Sequence, residues 1–170
     1  MKVFIVFLSL MIVNIGLIMY QDDHTMFERI EYDIKSTAEN CAYGCAMFYN
    51  KEAYSEGYLE YDTEEAIRYI DDVLTRKMEQ SGESLLQELH YKAYFFDEPG
   101  SCRIIEDGNI SGAFKVEYPY VLIDDKGYEE TVSGPLVKVV VTAETEDIFR
   151  QDFLYSDTVV RSASYGNRAY

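Results

Sequence analysis

Hydrophobic positions along this chain change their period from one stretch to the next, and each change marks an element. From Val3 to Tyr20 (VFIVFLSLMIVNIGLIMY) the apolar run is unbroken by any charge over eighteen residues. That is close to the roughly twenty needed to cross a bilayer core of about 30 Å as a helix. Beyond Asp22 the run becomes a stripe. Apolar or small residues recur at Phe27, Ile30, Ile34, Ala38, Cys41, Cys45 and Phe48, while Glu28, Glu31, Asp33, Lys35 and Glu39 fill the other faces. Steps of three and four are the helical period, so Val3 to Asn50 reads as one rod about 72 Å long. The stripe is bulky at its ends and small in its middle, at Thr37, Ala38, Cys41, Ala42, Gly44 and Cys45. It is wider than a coiled-coil seam, and small side chains admit a close backbone, so a sheet or second helix of the same chain is expected against Thr37 to Cys45.

The remaining chain alternates turns with shorter elements. Lys51 to Tyr61 breaks at Gly57 and reads as a turn that brings Tyr54, Tyr58 and Tyr61 within reach of one another. Asp62 then caps a second helix, with Glu65 placed for a capping box and Ala66, Ile67, Ile70, Val73, Leu74 and Met78 as its apolar stripe, ending near Ser81-Gly82. Ser84 to His90 fits a short helix, and Tyr91 to Phe96 a strand closed by Asp97-Glu98-Pro99-Gly100. A β meander follows. Cys102 to Glu106 and Gly112 to Ile123 flank a hairpin signal at Asp107-Gly108-Asn109, with Pro119 marking an edge or bulge. Asp124 to Gly127 is the next turn, Tyr128 to Val132 leads to Ser133-Gly134-Pro135, Leu136 to Ala143 alternates as a half-buried strand, and Phe153 to Ser164 supplies the last one. The fold class expected is α+β: a long transmembrane and stem helix plus a second helix packed on a small antiparallel meander. Its parts are an anchor over 1–21, an amphipathic stem over 22–56 and a head over 57–170.

Charge orients this plan. Lys2 precedes the apolar run and Asp22 and Asp23 follow it, which puts the N-terminus in the cytoplasm and the head outside. No pair of small residues suited to signal peptidase follows the run, so an uncleaved anchor is expected. A net charge of -16 argues against nucleic acid as a partner. Sixteen Tyr with no Trp suit contact surfaces and half-buried strands alike. Three Cys cannot all pair. Either Cys102 bridges to Cys41 or Cys45, or all three are small buried hydrophobes.

The search for chemistry returns little. Two His leave few candidates for acid–base work, and GxSxG, HExxH, P-loop and GxGxxG motifs are absent, so no catalytic residue, cofactor or enzymatic activity is expected. Asp107, Asn109 and Ser111 match the first half of a calcium loop, but position twelve is Tyr118 and a hairpin turn explains the same residues. Asn109-Ile110-Ser111 is also a glycosylation sequon. In the membrane span, Asn14 is the strongly polar side chain, with Gly16 two residues on, and both are candidates for packing between anchors.

The small-residue stem Ala38 to Ala46, the Gly57-Tyr58-Leu59-Glu60-Tyr61-Asp62 lead into the second helix and the Gly134-Pro135-Leu136-Val137-Lys138-Val139 strand resemble a known plan. It is that of type IV pilin-like proteins, and in detail the chain is similar to the TadE-type pilin-like proteins of tight-adherence (Tad) pilus systems of the Gram-positive type. The resemblance implies a single-pass, non-enzymatic surface protein that assembles through its apolar helix with other anchored pilin-like proteins or pilus assembly components. Thr37, Cys41, Gly44 and Cys45 would dock the head onto the stem. The span carries no acid and no basic leader precedes it, so prepilin-type processing is not expected. The alternative is an anchored or secreted Tyr-rich module that binds a ligand or another surface.

Overall fold

The structure, a computed structural model, describes residues 2–81, 86–123, 129–145 and 158–166. One helix, α1 (Lys2–Cys45), carries the chain through the apolar run and the stripe without interruption. At 1.5 Å per residue it is about 66 Å long. It stops five residues short of Asn50, where Asn50 instead caps a short helix, α2 (Lys51–Ser55), by accepting the Glu52 and Ala53 N–H groups. Gly57, at a φ of 94°, supplies the left-handed turn out of α2. Of the three tyrosines expected within reach of one another, Tyr54 lies 5.1 Å from Tyr49 between ring centroids, and Tyr61, which bridges to Tyr49 through its backbone, is buried against Phe95.

Helix α3 (Thr63–Ser81) starts where Asp62 Oδ1 accepts the N–H groups of Glu64 and Glu65. The reciprocal half of the capping box does not form, because Glu65 pairs with Arg68 and the Asp62 N–H donates to the Phe48 carbonyl. Lys77 reaches Asp33 on α1 at 2.9 Å, so α3 runs back along the stem toward the anchor. Ala66, Ile70 and Leu74 are its buried row.

Seven strands follow: β1 (Leu86–Asp97), β2 (Ser101–Glu106), β3 (Asn109–Lys115), β4 (Tyr120–Ile123), β5 (Glu129–Val132), β6 (Leu136–Thr145) and β7 (Thr158–Gly166). Five form one antiparallel sheet in the order β3-β2-β1-β6-β7, and β4 and β5 form a separate hairpin. The chain is α+β, as its periodicity predicts. Two details differ. Leu86 to His90, read as a short helix, extends β1, because these residues pair with β6 through a bulge between Leu86 and Glu88. The long run Gly112 to Ile123 is divided, with Pro119 lying between β3 and β4 rather than inside a strand. The expected turn at 124–127, the start of the last strand at 153–157 and Gly82 at the end of α3 lie outside the described residues.

Both faces of the central strands are covered, which explains why YKAYFF reads as nearly continuous apolar sequence. Tyr91, Ala93 and Phe95 of β1, with Val137, Val139, Val141 and Ala143 of β6, face α1 and α3. Alternate residues Tyr94 and Phe96, with Cys102 of β2, face the other way, where Leu122 and Val132 of the β4–β5 hairpin cap them. Lys138 is buried on that second face and donates to Glu130 of β5 at 2.8 Å, which ties the hairpin to the sheet.

Candidate functional site

The feature with the clearest chemical and mechanical character is α1 itself. Its first half is long and apolar enough to cross a membrane, with a mean hydropathy of 2.5 and none of that window buried by the rest of the chain. The head begins to pack on it further along. Ile30, Ile34, Thr37, Ala38, Cys41, Ala42, Gly44 and Cys45 are buried, and the elements lying over them are β6, β7 and α3. The small middle of the stripe is therefore the seat of both a sheet and a helix.

Each docking candidate has a definite partner or setting. Gly44 faces Tyr69 of α3 so closely that a Cβ there would fall 2.1 Å from Tyr69 Cε1. Cys45 Sγ lies 3.7 Å from the Ala66 carbonyl, at the start of the same helix. Cys41 is fully buried, and Thr37 turns its hydroxyl back to the Asp33 carbonyl at 2.8 Å, as a polar residue on a packed helix face must. At the margins, Arg161 of β7 pairs with Glu31, and Tyr165 meets Tyr43 edge-on at 5.0 Å.

All three cysteines are free thiols. Of the two readings open from sequence, the Cys102 bridge does not form, and the reason is strand alternation. Cys102 sits opposite Phe96 on the face covered by the β4–β5 hairpin, whereas Cys41 and Cys45 belong to the helix side of the sheet. Burial pushes the Cys41 thiol up to about 12 and Cys102 to about 12, and Cys45 is raised further by burial together with its neighbour Cys41. Such thiols are packing groups rather than nucleophiles.

Asn14 and Gly16 are not brought together. They lie two residues apart on one helix, hence on nearly opposite sides, since each residue advances about 100°. Eighteen residues make about five turns, so Asn14 shares its side with Tyr32, and Gly16 shares its side with Ile34. Tyr32 is 73 % exposed and Ile34 fully buried in the head. The Asn14 amide donates to the Leu10 carbonyl at 3.0 Å, and a Cβ on Gly16 would touch nothing. Asn14 thus points away from the face that the head covers, on the same side of α1 as exposed Tyr32.

The calcium candidates are engaged separately. Asp107 accepts the Tyr91 N–H and faces His90, Asn109 donates to the Asp107 carbonyl, and the Ser111 hydroxyl reaches back to Ile104. Among the described residues no group of three or more His, Cys, Asp or Glu is arranged to hold a metal ion. Asp107 and Gly108, both at positive φ, make the hairpin turn instead.

Sequence reasoning missed an ionic hub at the far end of the head. Asp97, 1 % exposed, accepts from both Arg103 Nη2 and the Tyr61 N–H, and the Ser101 hydroxyl adds a third donor. Arg103 also donates to the Tyr61 carbonyl at 2.7 Å and to Thr63 Oγ1. The hub fastens the link between α2 and α3 to the β1–β2 turn. The one signal in the sequence was a lone Arg inside an apolar strand next to a turn rich in acids.

Comparison with protein-family models, curated proteins and solved structures finds no match to this chain.

Proposed function

We propose that this chain is a membrane-anchored, non-enzymatic, extracytoplasmic pilin-like protein, a subunit or accessory component of a surface pilus of the Tad or type IV-like kind or of its assembly machinery. The observation that carries the reading is the single helix α1, apolar and unpacked over its first half, built into the head over its second. Residues 3–20 lie in the bilayer with the N-terminus cytoplasmic, Lys2 before the span and Asp22 and Asp23 beyond it setting that orientation. A rigid shaft transmits the position of one anchor to its head, which is what a helical assembly of such subunits needs. The side bearing Asn14 and Tyr32 faces away from the head and is open to neighbouring anchored proteins.

The test is to shear cells, separate filaments from membranes and locate the protein by mass spectrometry. Recovery with other short anchored proteins in sheared filaments or a detergent-stable assembly supports the proposal. Recovery as a lone membrane monomer opposes it.

A second reading rests on the exposed rings of Tyr32, Tyr43, Tyr49, Tyr54 and Tyr165. These suit a module that binds a ligand or another surface. A head from Asp22 onward that binds surfaces in detached form would favour it.

A further inference from the structure

A second ionic cluster lies at the start of β1, on the end of the head nearer the anchor. His90 stands between two carboxylates from different elements. Its Nδ1 is 3.0 Å from Asp107 Oδ2 in the β2–β3 turn, and its Nε2 is 3.3 Å from Glu88 Oε2 on its own strand. The other Asp107 oxygen accepts the Tyr91 N–H at 2.8 Å, while the Asp107 N–H donates to the Tyr91 carbonyl at 3.1 Å. The Tyr91 hydroxyl then crosses to α3 and donates to Asp71 at 3.1 Å. Turn, strand and helix meet here, with Asp107 at the left-handed φ of 44° that the hairpin turn requires. Beside the cluster opens a groove of about 500 Å³, floored by Leu74, Met78 and Leu89.

The charges around His90 come from every neighbouring element. Glu88 and Lys92 stand on β1, Glu106 and Asp107 on β2 and its turn, Glu144 on β6 opposite Glu88, and Asp71 on α3 behind Tyr91. Lys92 pairs with Glu106 at 2.9 Å. The charge between Glu88 and Asp107 therefore depends on His90, the side chain in the cluster that titrates near neutral pH.

We propose that His90 is a pH-operated latch, which when protonated bridges Glu88 and Asp107 and holds the β2–β3 turn down against β1 and α3 at the mouth of the groove. A neutral imidazole has one N–H and serves one carboxylate. Loss of the proton then leaves two like charges facing each other and loosens the turn. The hydrogen bond that the ring donates to Asp107 raises the His90 pKa above its ordinary 6.5, with the Asp107 charge and Glu88 adding to this and burial opposing it. Because the folded value is the higher one, the clamp is complete below about 6.5 and is lost as pH climbs through the folded-state value. The latch does not depend on what the anchor assembles with.

The test is proton NMR of the full-length protein in detergent micelles, following the His90 ring and the Tyr91 and Gly108 amides from about pH 5 to 9. His90 is expected to titrate above 6.5, with both amides shifting at the same midpoint. Asp107→Asn should lower the midpoint, and Glu88→Gln should lower it less. His90→Gln should abolish the pH response of the two amides, whereas His24→Gln should leave it intact. A midpoint at or below the free-imidazole value, or amides that do not follow the ring, overturns the proposal. Should His90→Gln fail to fold, the wild-type titration and the Glu88→Gln shift decide it.

Discussion

Gly44 of α1 and Tyr69 of α3 are in such close apposition that the aromatic ring occupies the space a side chain at Gly44 would need. Gly44 lies in the last turn of α1, and the lack of a side chain there leaves room for that ring.

Gly44→Leu should therefore destabilise the head by about 1–3 kcal/mol through overpacking, read as a lower urea midpoint and faster proteolysis between α1 and α3. The ring end of Tyr69 can move more readily than backbone, so Gly44→Ala should cost much less. Adding Tyr69→Ala to Gly44→Leu should recover part of the loss. A cycle in which the two changes are additive would show that the apposition carries no energy.

At the distal hub, Asp97→Ala should cost about 3–5 kcal/mol, because Arg103 and the Tyr61 N–H would lose their common acceptor in a buried site. Asp97→Asn keeps an acceptor and should cost less. Urea melts followed by near-UV circular dichroism of the tyrosines give the comparison.

The Lys138–Glu130 pair predicts an asymmetry. Glu130→Leu strands a buried ammonium and should loosen the β4–β5 hairpin, whereas Glu130→Leu combined with Lys138→Met removes both charges and should be close to neutral. Amide exchange at Val121 and Leu122 reports whether the hairpin has lifted.

Thiol chemistry gives a direct test of burial. At about pH 8 Cys41, Cys45 and Cys102 should resist iodoacetamide in the native protein, since each pKa stands far above that pH, and all three should label in urea. Rapid native labelling of Cys102 would mean that the β4–β5 hairpin does not cover it.

Most of the architecture was legible because period survives in sequence. The uncharged run to Tyr20 specifies an element, and the three-and-four stripe through Cys45 and the alternation Val137, Val139, Val141 each specify an element and a buried face. Gly44 was legible as one of the small residues on the packed stripe, but Tyr69 was not, because the partner of a small residue leaves no mark near it. The start of β1 was misread for a local reason: Leu86 to His90 has helix-forming residues, and pairing with β6 overrides them. The split at Pro119 was half visible, as a break in a strand whose change of layer only the three-dimensional packing reveals. Asp97 and Arg103 are six residues apart and looked like a turn and a stray charge. Their shared contact with Tyr61, some forty positions earlier, is a tertiary fact.

The placement of β7 has a consequence for biogenesis. Helix α1 is made before the elements that cover it, α3 and β6 follow, and β7 comes more than a hundred residues after Ile34 and Cys41, so the face holding them is completed last by that strand. Until that late strand arrives, its share of the apolar face lacks its native cover.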